Sequence, residues 1–143
     1  MTYKDYDLTG LRDRMKELDG AVVKVGIQEG SANLDKAIWN NDGTSDGHIP
    51  PRPFVSDFAD AHAGELKGLA EKAIKPIITQ KKAPRAQLDK FGEKAADLMR
   101  DDVIDGGRFE ANAASTVAQK GFDSPLVESG AMAFDIDHKL EGI

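Results

Sequence analysis

The hydrophobic positions switch between a helical period and a two-residue period along the chain, and the switches mark its elements. Leu8, Leu11, Met15 and Leu18 recur every three or four residues, the stripe of an amphipathic helix. Gly20 follows where a left-handed residue would cap it. The run from Ala21 to Ile27 then changes period, with Val23, Val25 and Ile27 on one side, and predicts a β-branched strand. Gly26 and Gly30 serve twist and turn there, because the triple-glycine spacing of a phosphate-binding loop is absent. Ser31 to Trp39 predicts a short helix with Leu34, Ala37 and Ile38 along one side.

A polar, turn-rich stretch from Asn40 to Gly47 leads into His48-Ile49-Pro50-Pro51-Arg52-Pro53-Phe54. Three prolines in four positions fix φ and remove three backbone donors, so this piece is expected to be an extended, rigid connector. Helical spacing resumes with Phe54, Phe58, Leu66, Leu69 and Ala73, and Pro76 is expected to end that helix. A further long helix opens at Pro84, carries Leu88, Phe91, Ala95, Leu98, Met99 and Val103, and stops at Gly106-Gly107. The polar linker from Thr79 to Ala83 is short, which predicts an antiparallel helix pair.

Residues 106–131 read as a long irregular loop, with a short helix around Ser115 to Lys120. Met132, Phe134, Ile136 and His138 then alternate with Ala133, Asp135, Asp137 and Lys139, a strand with one wet face. The expected fold is therefore α+β, one domain over residues 1–143. A small antiparallel or mixed sheet packs against an N-terminal helix and a long helical hairpin, with two long loops. Two strands make a weak sheet alone, so either the proline connector adds an edge strand or neighbouring subunits complete it.

Composition narrows the function classes. Hydrophobic residues make up 40% of the chain, charged residues 31% and aromatics 6%, which describes a thin aliphatic core and much solvated or partner-covered surface. The formal net charge of −6 opposes a dedicated nucleic-acid binder, which needs a basic face for phosphates. It is compatible with a wall past which DNA slides. The absence of cysteine removes disulfides, zinc thiolates and thiol nucleophiles from consideration. No apolar run reaches spanning length and Met1 to Asp7 carries no apolar signal core, so no membrane role and synthesis in the cytoplasm are expected.

The search for catalytic chemistry returns little. His48, His62 and His138 fall in a loop, a helix and a strand, without metal-ligand spacing, and are expected at solvated or core-edge positions. Asp135 and Asp137 are expected on the solvated strand face, with His138 on the other. Asp101, Asp102 and Asp105 fall near a helix C-terminus, where an exposed helix end accounts for them. Ser115, Ser124 and Ser129 have no nucleophile elbow and no paired base. The expectation is a non-enzyme with no cofactor and no metal.

Two stretches carry a resemblance. Ile49-Pro50-Pro51-Arg52-Pro53-Phe54 ahead of a long helix resembles the I-P-x-R-P-F signature of small neck proteins of tailed bacteriophages. Ser115-Thr116, Lys120 and Ser124-Pro125-Leu126-Val127-Glu128-Ser129-Gly130 resemble the later signature of the same head–tail joining, or tail-completion, family, related in fold to tail terminators. Glu128-Ser129 stands where that signature more often has Asp-Thr, and Ala131-Met132 follows Gly130 in place of a Leu. The resemblance covers roughly residues 21–140 and includes the order of elements. It implies a virion protein of the neck, made in the host cytoplasm. Such a protein forms a ring, usually of six copies, that terminates or completes the tail. Its implied partners are its own copies, the tail tube and the head connector or adaptor proteins, with DNA only passing through the lumen.

On that reading the assembly residues are Ile49, Pro50, Pro51, Arg52, Pro53, Phe54, Thr116, Lys120, Leu126, Glu128, Ser129 and Gly130. A rigid connector loses little entropy on docking. Arg52 offers a planar fork to a neighbouring carboxylate. Phe54 is an apolar anchor, either for a neighbour or for the chain's own core. Glu128, Ser129 and Gly130 serve either that interface or a tight turn locking the final strand. A monomeric adaptor using the same loops is the alternative from a different class.

Overall fold

The computed structural model describes residues 8–105 and 131–143. The order is α1 (Leu8–Leu18), β1 (Val22–Ile27), α2 (Leu34–Asp42), α3 (Phe54–Ala61), α4 (Ala63–Thr79), α5 (Pro84–Asp105), α6 (Ala131–Phe134) and β2 (Ile136–Glu141). The fold is α+β, with a helical hairpin of α4 and α5 and a two-stranded antiparallel sheet. The expected loop at 106–131 and its short helix lie outside the described residues, save for Ala131 at the start of α6.

β1 and β2 pair with Val23 opposite Leu140, Val25 opposite His138 and Ile27 opposite Ile136. Side chains alternate across a strand, so these six share the inner face, against α5. α5 organises the molecule because it carries two apolar stripes. Gly92, Ala96, Met99 and Val103 are buried along one, and the last three join Phe54, Phe58, Ala37, Ala133 and Ile136 in the main core cluster. Pro84, Leu88 and Ala95 are buried along the neighbouring stripe, which serves the hairpin contact with α4, where Ala73 and Ile77 are buried.

Several expectations change. The helix expected from Phe54 to Pro76 is two helices, broken at His62, whose φ and ψ of −109° and 16° leave the helical region. The break lets Phe54 and Phe58 turn into the main core while Ala73 and Ile77 face the hairpin. Pro76 lies inside α4 rather than ending it: proline removes its own donor, but its carbonyl still accepts from Gln80 at 2.9 Å. The short helix begins at Leu34 and runs on to Asp42, with Ala37 buried and Ile38 exposed.

The final strand is also shorter than its alternating pattern. Residues 131–134 form a helical turn that buries Ala133 and leaves Phe134 73% exposed, the reverse of the alternation. From Ile136 onward the pattern holds, with Ile136, His138 and Leu140 inward and Asp137 and Lys139 outward. The connector contributes no strand to the sheet.

Candidate functional site

The proline connector folds back on the C-terminal end of α2. The Arg52 backbone N–H donates to Asn40 O at 2.7 Å, and Thr44 N–H donates to Ile49 O at 2.9 Å. The Thr44 hydroxyl returns the contact by accepting from Ile49 N–H at 3.0 Å. Asp46 closes the turn below, accepting from the Thr44 hydroxyl at 2.6 Å and from His48 N–H at 2.9 Å. Those two bonds hold its carboxyl below the usual range, the Thr44 bond contributing most. Gly43 makes the close approach possible, since a Cβ there would lie 2.8 Å from Pro51 N.

Within the connector, side chains divide by direction. Arg52 is only 7% exposed and Phe54 only 2%, both taken up by the chain itself. Phe54 belongs to the main core, which decides between the two anchor readings: it packs inside its own chain. Pro51 and Pro53 are exposed, and Ile49 and Pro50 are half-buried. The helices joined by the connector present apolar side chains to solvent, Ile38 and Trp39 on α2 and Val55 on α3. Thr116, Lys120, Leu126, Glu128, Ser129 and Gly130 lie outside the described residues, as do Ser115, Ser124 and Gly106-Gly107.

Neither a known protein family, nor a curated protein, nor a solved structure matches the chain.

The chemistry-bearing residues outside the connector hold elements together, and here sequence reading missed most. His62 sits at the core edge, as expected, but its two ring nitrogens both have partners. Its Nδ1 lies 2.9 Å from Glu65 Oε1 and its Nε2 lies 3.0 Å from Asp102 Oδ1. Asp102 is correspondingly not part of an exposed helix end, its side chain being 6% exposed while Asp101 faces solvent. His138 Nε2 lies 2.7 Å from Asp89 Oδ1 on α5, with Asp137 Oδ1 3.3 Å from the other ring nitrogen. At 3.3 Å the second contact is an ion-pair distance without hydrogen-bond alignment. His48 is exposed.

Asp135 likewise leaves the solvated strand face on which it was expected. It sits in the turn between α6 and β2, half-buried, and its Oδ2 accepts from the Ser31 hydroxyl at 2.5 Å and from Asn33 Nδ2 at 2.7 Å. These bonds lower its carboxyl below the usual range, Ser31 foremost, and staple the loop after β1 to the entry of β2. Nothing local marks these long-range pairs, whose members are 40 to 104 residues apart. Only the i, i+3 spacing of His62 and Glu65 was legible.

Among the described residues, no group of three or more histidine, aspartate or glutamate side chains is arranged to hold a metal ion. The Ser31 hydroxyl is engaged with a carboxylate rather than an imidazole. Among the described residues no helix is long and apolar enough to cross a membrane.

Proposed function

We propose that this chain is a structural protein of the neck of a tailed bacteriophage, a ring-forming subunit that terminates or completes the tail and joins it to the head connector. The observation that carries the reading is the form taken by Ile49-Pro50-Pro51-Arg52-Pro53-Phe54. The segment is anchored at Arg52 and Phe54 and offers Pro51 and Pro53 outward from a rigid backbone. Such an edge docks on a neighbour with little loss of conformational entropy. The element order, strand, short helix, proline connector, helices and closing strand, is the order that the resemblance implies.

The reading assigns no substrate turnover, no cofactor and no metal. It places the protein in the virion neck after assembly in the host cytoplasm, in contact with its own copies, the tail tube and the connector or adaptor proteins. Further copies would complete the sheet, which has two strands among the described residues. The net charge of −6 suits a lumen through which DNA passes without being held.

A second reading is favoured by the burial of Arg52 and Phe54 within a single chain: a monomeric adaptor that binds one partner through the same connector. Native mass spectrometry over a concentration series, with and without purified tail tubes, separates the two. Rings, or rings nucleated on tubes, support the neck protein. A chain that stays monomeric at every concentration and forms only one-to-one complexes supports the adaptor. A chain that binds neither tubes nor connectors overturns the neck reading. Particles lacking the protein refine its role in electron micrographs, since overlong tails mark a terminator and unjoined heads and tails of normal size mark a joining factor.

A further inference from the structure

His62 stands at the corner where α3 ends and α4 begins, and both nitrogens of its ring face a carboxylate. Glu65, in the first turn of α4, lies 2.9 Å from Nδ1, and Asp102, near the end of α5, lies 3.0 Å from Nε2. A neutral imidazole carries one N–H and can serve one of these acceptors, leaving its other nitrogen facing carboxylate lone pairs with no proton between them. Only the doubly protonated ring donates to both. Phe58 of α3 packs on the imidazole with ring centroids 5.1 Å apart, which fixes the ring at the corner. The ring itself is largely covered, at 18% side-chain exposure, so solvent screens the contacts incompletely.

We propose that His62 is a proton-operated latch: with both ring nitrogens protonated it holds the α3–α4 corner onto the C-terminal half of α5, and with a neutral ring it lets that corner loosen. Three elements meet the ring. Asp102 faces it from α5, Glu65 from α4 and the Phe58 ring from α3, and the two carboxylates are the charges acting on it among the described residues. Phe54 and Phe58 are buried in the main core, so the loosening is expected at the corner and not in the core. α3 begins directly after the proline connector, so the latch acts at the far end of the helix that leaves it.

The direction with pH follows from the same contacts. Asp102 foremost, then Glu65, raises the pKa of His62 above its ordinary value of 6.5, against the opposing effect of burial. A raised native pKa means that the latch contributes fully below the unfolded value and is lost as pH climbs through the native value. The corner is thus closed in mildly acid solution and opens on the alkaline side.

The test uses the full chain between about pH 5 and pH 9, the range that brackets an unperturbed histidine. Long-range proton–nitrogen spectra follow both ring nitrogens of His62, and amide exchange, corrected for intrinsic rates, reports protection from Ala59 to Leu66. The expected result is a native midpoint above that of His62 in the urea-unfolded chain, with corner protection falling across the same midpoint while Val23 and Val25 keep theirs. Asp102→Asn lowers the midpoint and weakens protection in acid. Glu65→Gln, on the exposed side of the ring, does the same to a smaller degree and carries the comparison if Asp102→Asn does not fold. A native midpoint at or below the unfolded one, corner protection that ignores the midpoint, or a midpoint unmoved by Glu65→Gln would overturn the proposal. None of these readouts depends on ring assembly, so the latch and the neck reading can fail separately.

Discussion

The imidazole of His138 lies directly on Gly92: a Cβ built on that glycine would stand 2.7 Å from His138 Cγ and 3.0 Å from its Cβ. The missing side chain on α5 is thus the seat on which the inner face of β2 rests. Asp89, one turn earlier on the same helix, holds the ring in place at 2.7 Å.

Gly92→Ala therefore pits two effects against each other. Alanine in a helix gains up to about 1 kcal/mol over glycine, whereas overpacking a filled site costs about 1–3 kcal/mol. The ring has little room to yield, so urea unfolding should show a net loss of about 1–2 kcal/mol. In a His138→Ala background the ring contacts are gone and only the 3.0 Å contact with the Cβ remains, so the same substitution should cost clearly less. A loss of equal size in both backgrounds would place the cost elsewhere.

Gly43→Ala should be among the costlier glycine substitutions. Its φ of 76° and ψ of 173° lie in a region open essentially to glycine alone, and a Cβ would meet Pro51 N at 2.8 Å and Ile49 O at 3.0 Å. A loss of about 2–3 kcal/mol is expected in urea unfolding, from backbone strain plus displacement of the connector. Gly47→Ala is the control: φ is 74° but nothing lies within 4 Å, so it should cost only about 1–2 kcal/mol for the left-handed backbone.

Arg14 fastens α1. No residue of α1 is buried, yet Arg14 Nε donates to Ile77 O at 2.8 Å, across the last turn of α4, where a cation also meets the negative end of the helix dipole. Arg14→Ala should cost about 1–2 kcal/mol. It should also speed tryptic cleavage at Arg12 and Lys16 before any cleavage in α5. Unchanged cleavage kinetics would show that the apolar stripe of Leu11 and Leu18 holds the helix unaided.

Asp135 makes stability depend on acid. Its native carboxyl titrates below the unfolded value, so its contribution is complete above about pH 4 and disappears as pH falls through the native value. The urea midpoint should fall more steeply below pH 4 in the parent chain than in Asp135→Asn. Parallel acid profiles would assign the acid sensitivity to other carboxylates.

The regular elements were legible wherever one periodic stripe met one core. Val23, Val25 and Ile27 lie on the face their spacing implied, and the helix from Pro84 carries every apolar residue read from it. Reading failed where tertiary contacts override local pattern. Met132 to Asp135 alternate like a strand, but the turn is decided by burial of Ala133 and by the bonds of Ser31 and Asn33 to Asp135. The Phe54–Pro76 stripe was continuous in sequence because the spacing of eight positions from Phe58 to Leu66 fits a helical period, while the corner at His62 meets an aspartate forty residues away. Of the expected assembly residues, the connector was recognisable as rigid from its prolines. The inward turn of Phe54 was one of two readings, but that of Arg52 was not read, because it depends on which core the connector closes.

The pairing of β1 with β2 joins chain segments far apart, Gln28 and Asp137 being in contact across 109 positions. Closing so long a loop is slow compared with forming the α4–α5 hairpin, whose strands of contact are local. During synthesis the hairpin can form on the ribosome well before residues 136–141 emerge, while the sheet waits for them. The sheet surface is therefore a late-appearing one, and a chain that lacks residues 136–141 cannot display it to a neighbour.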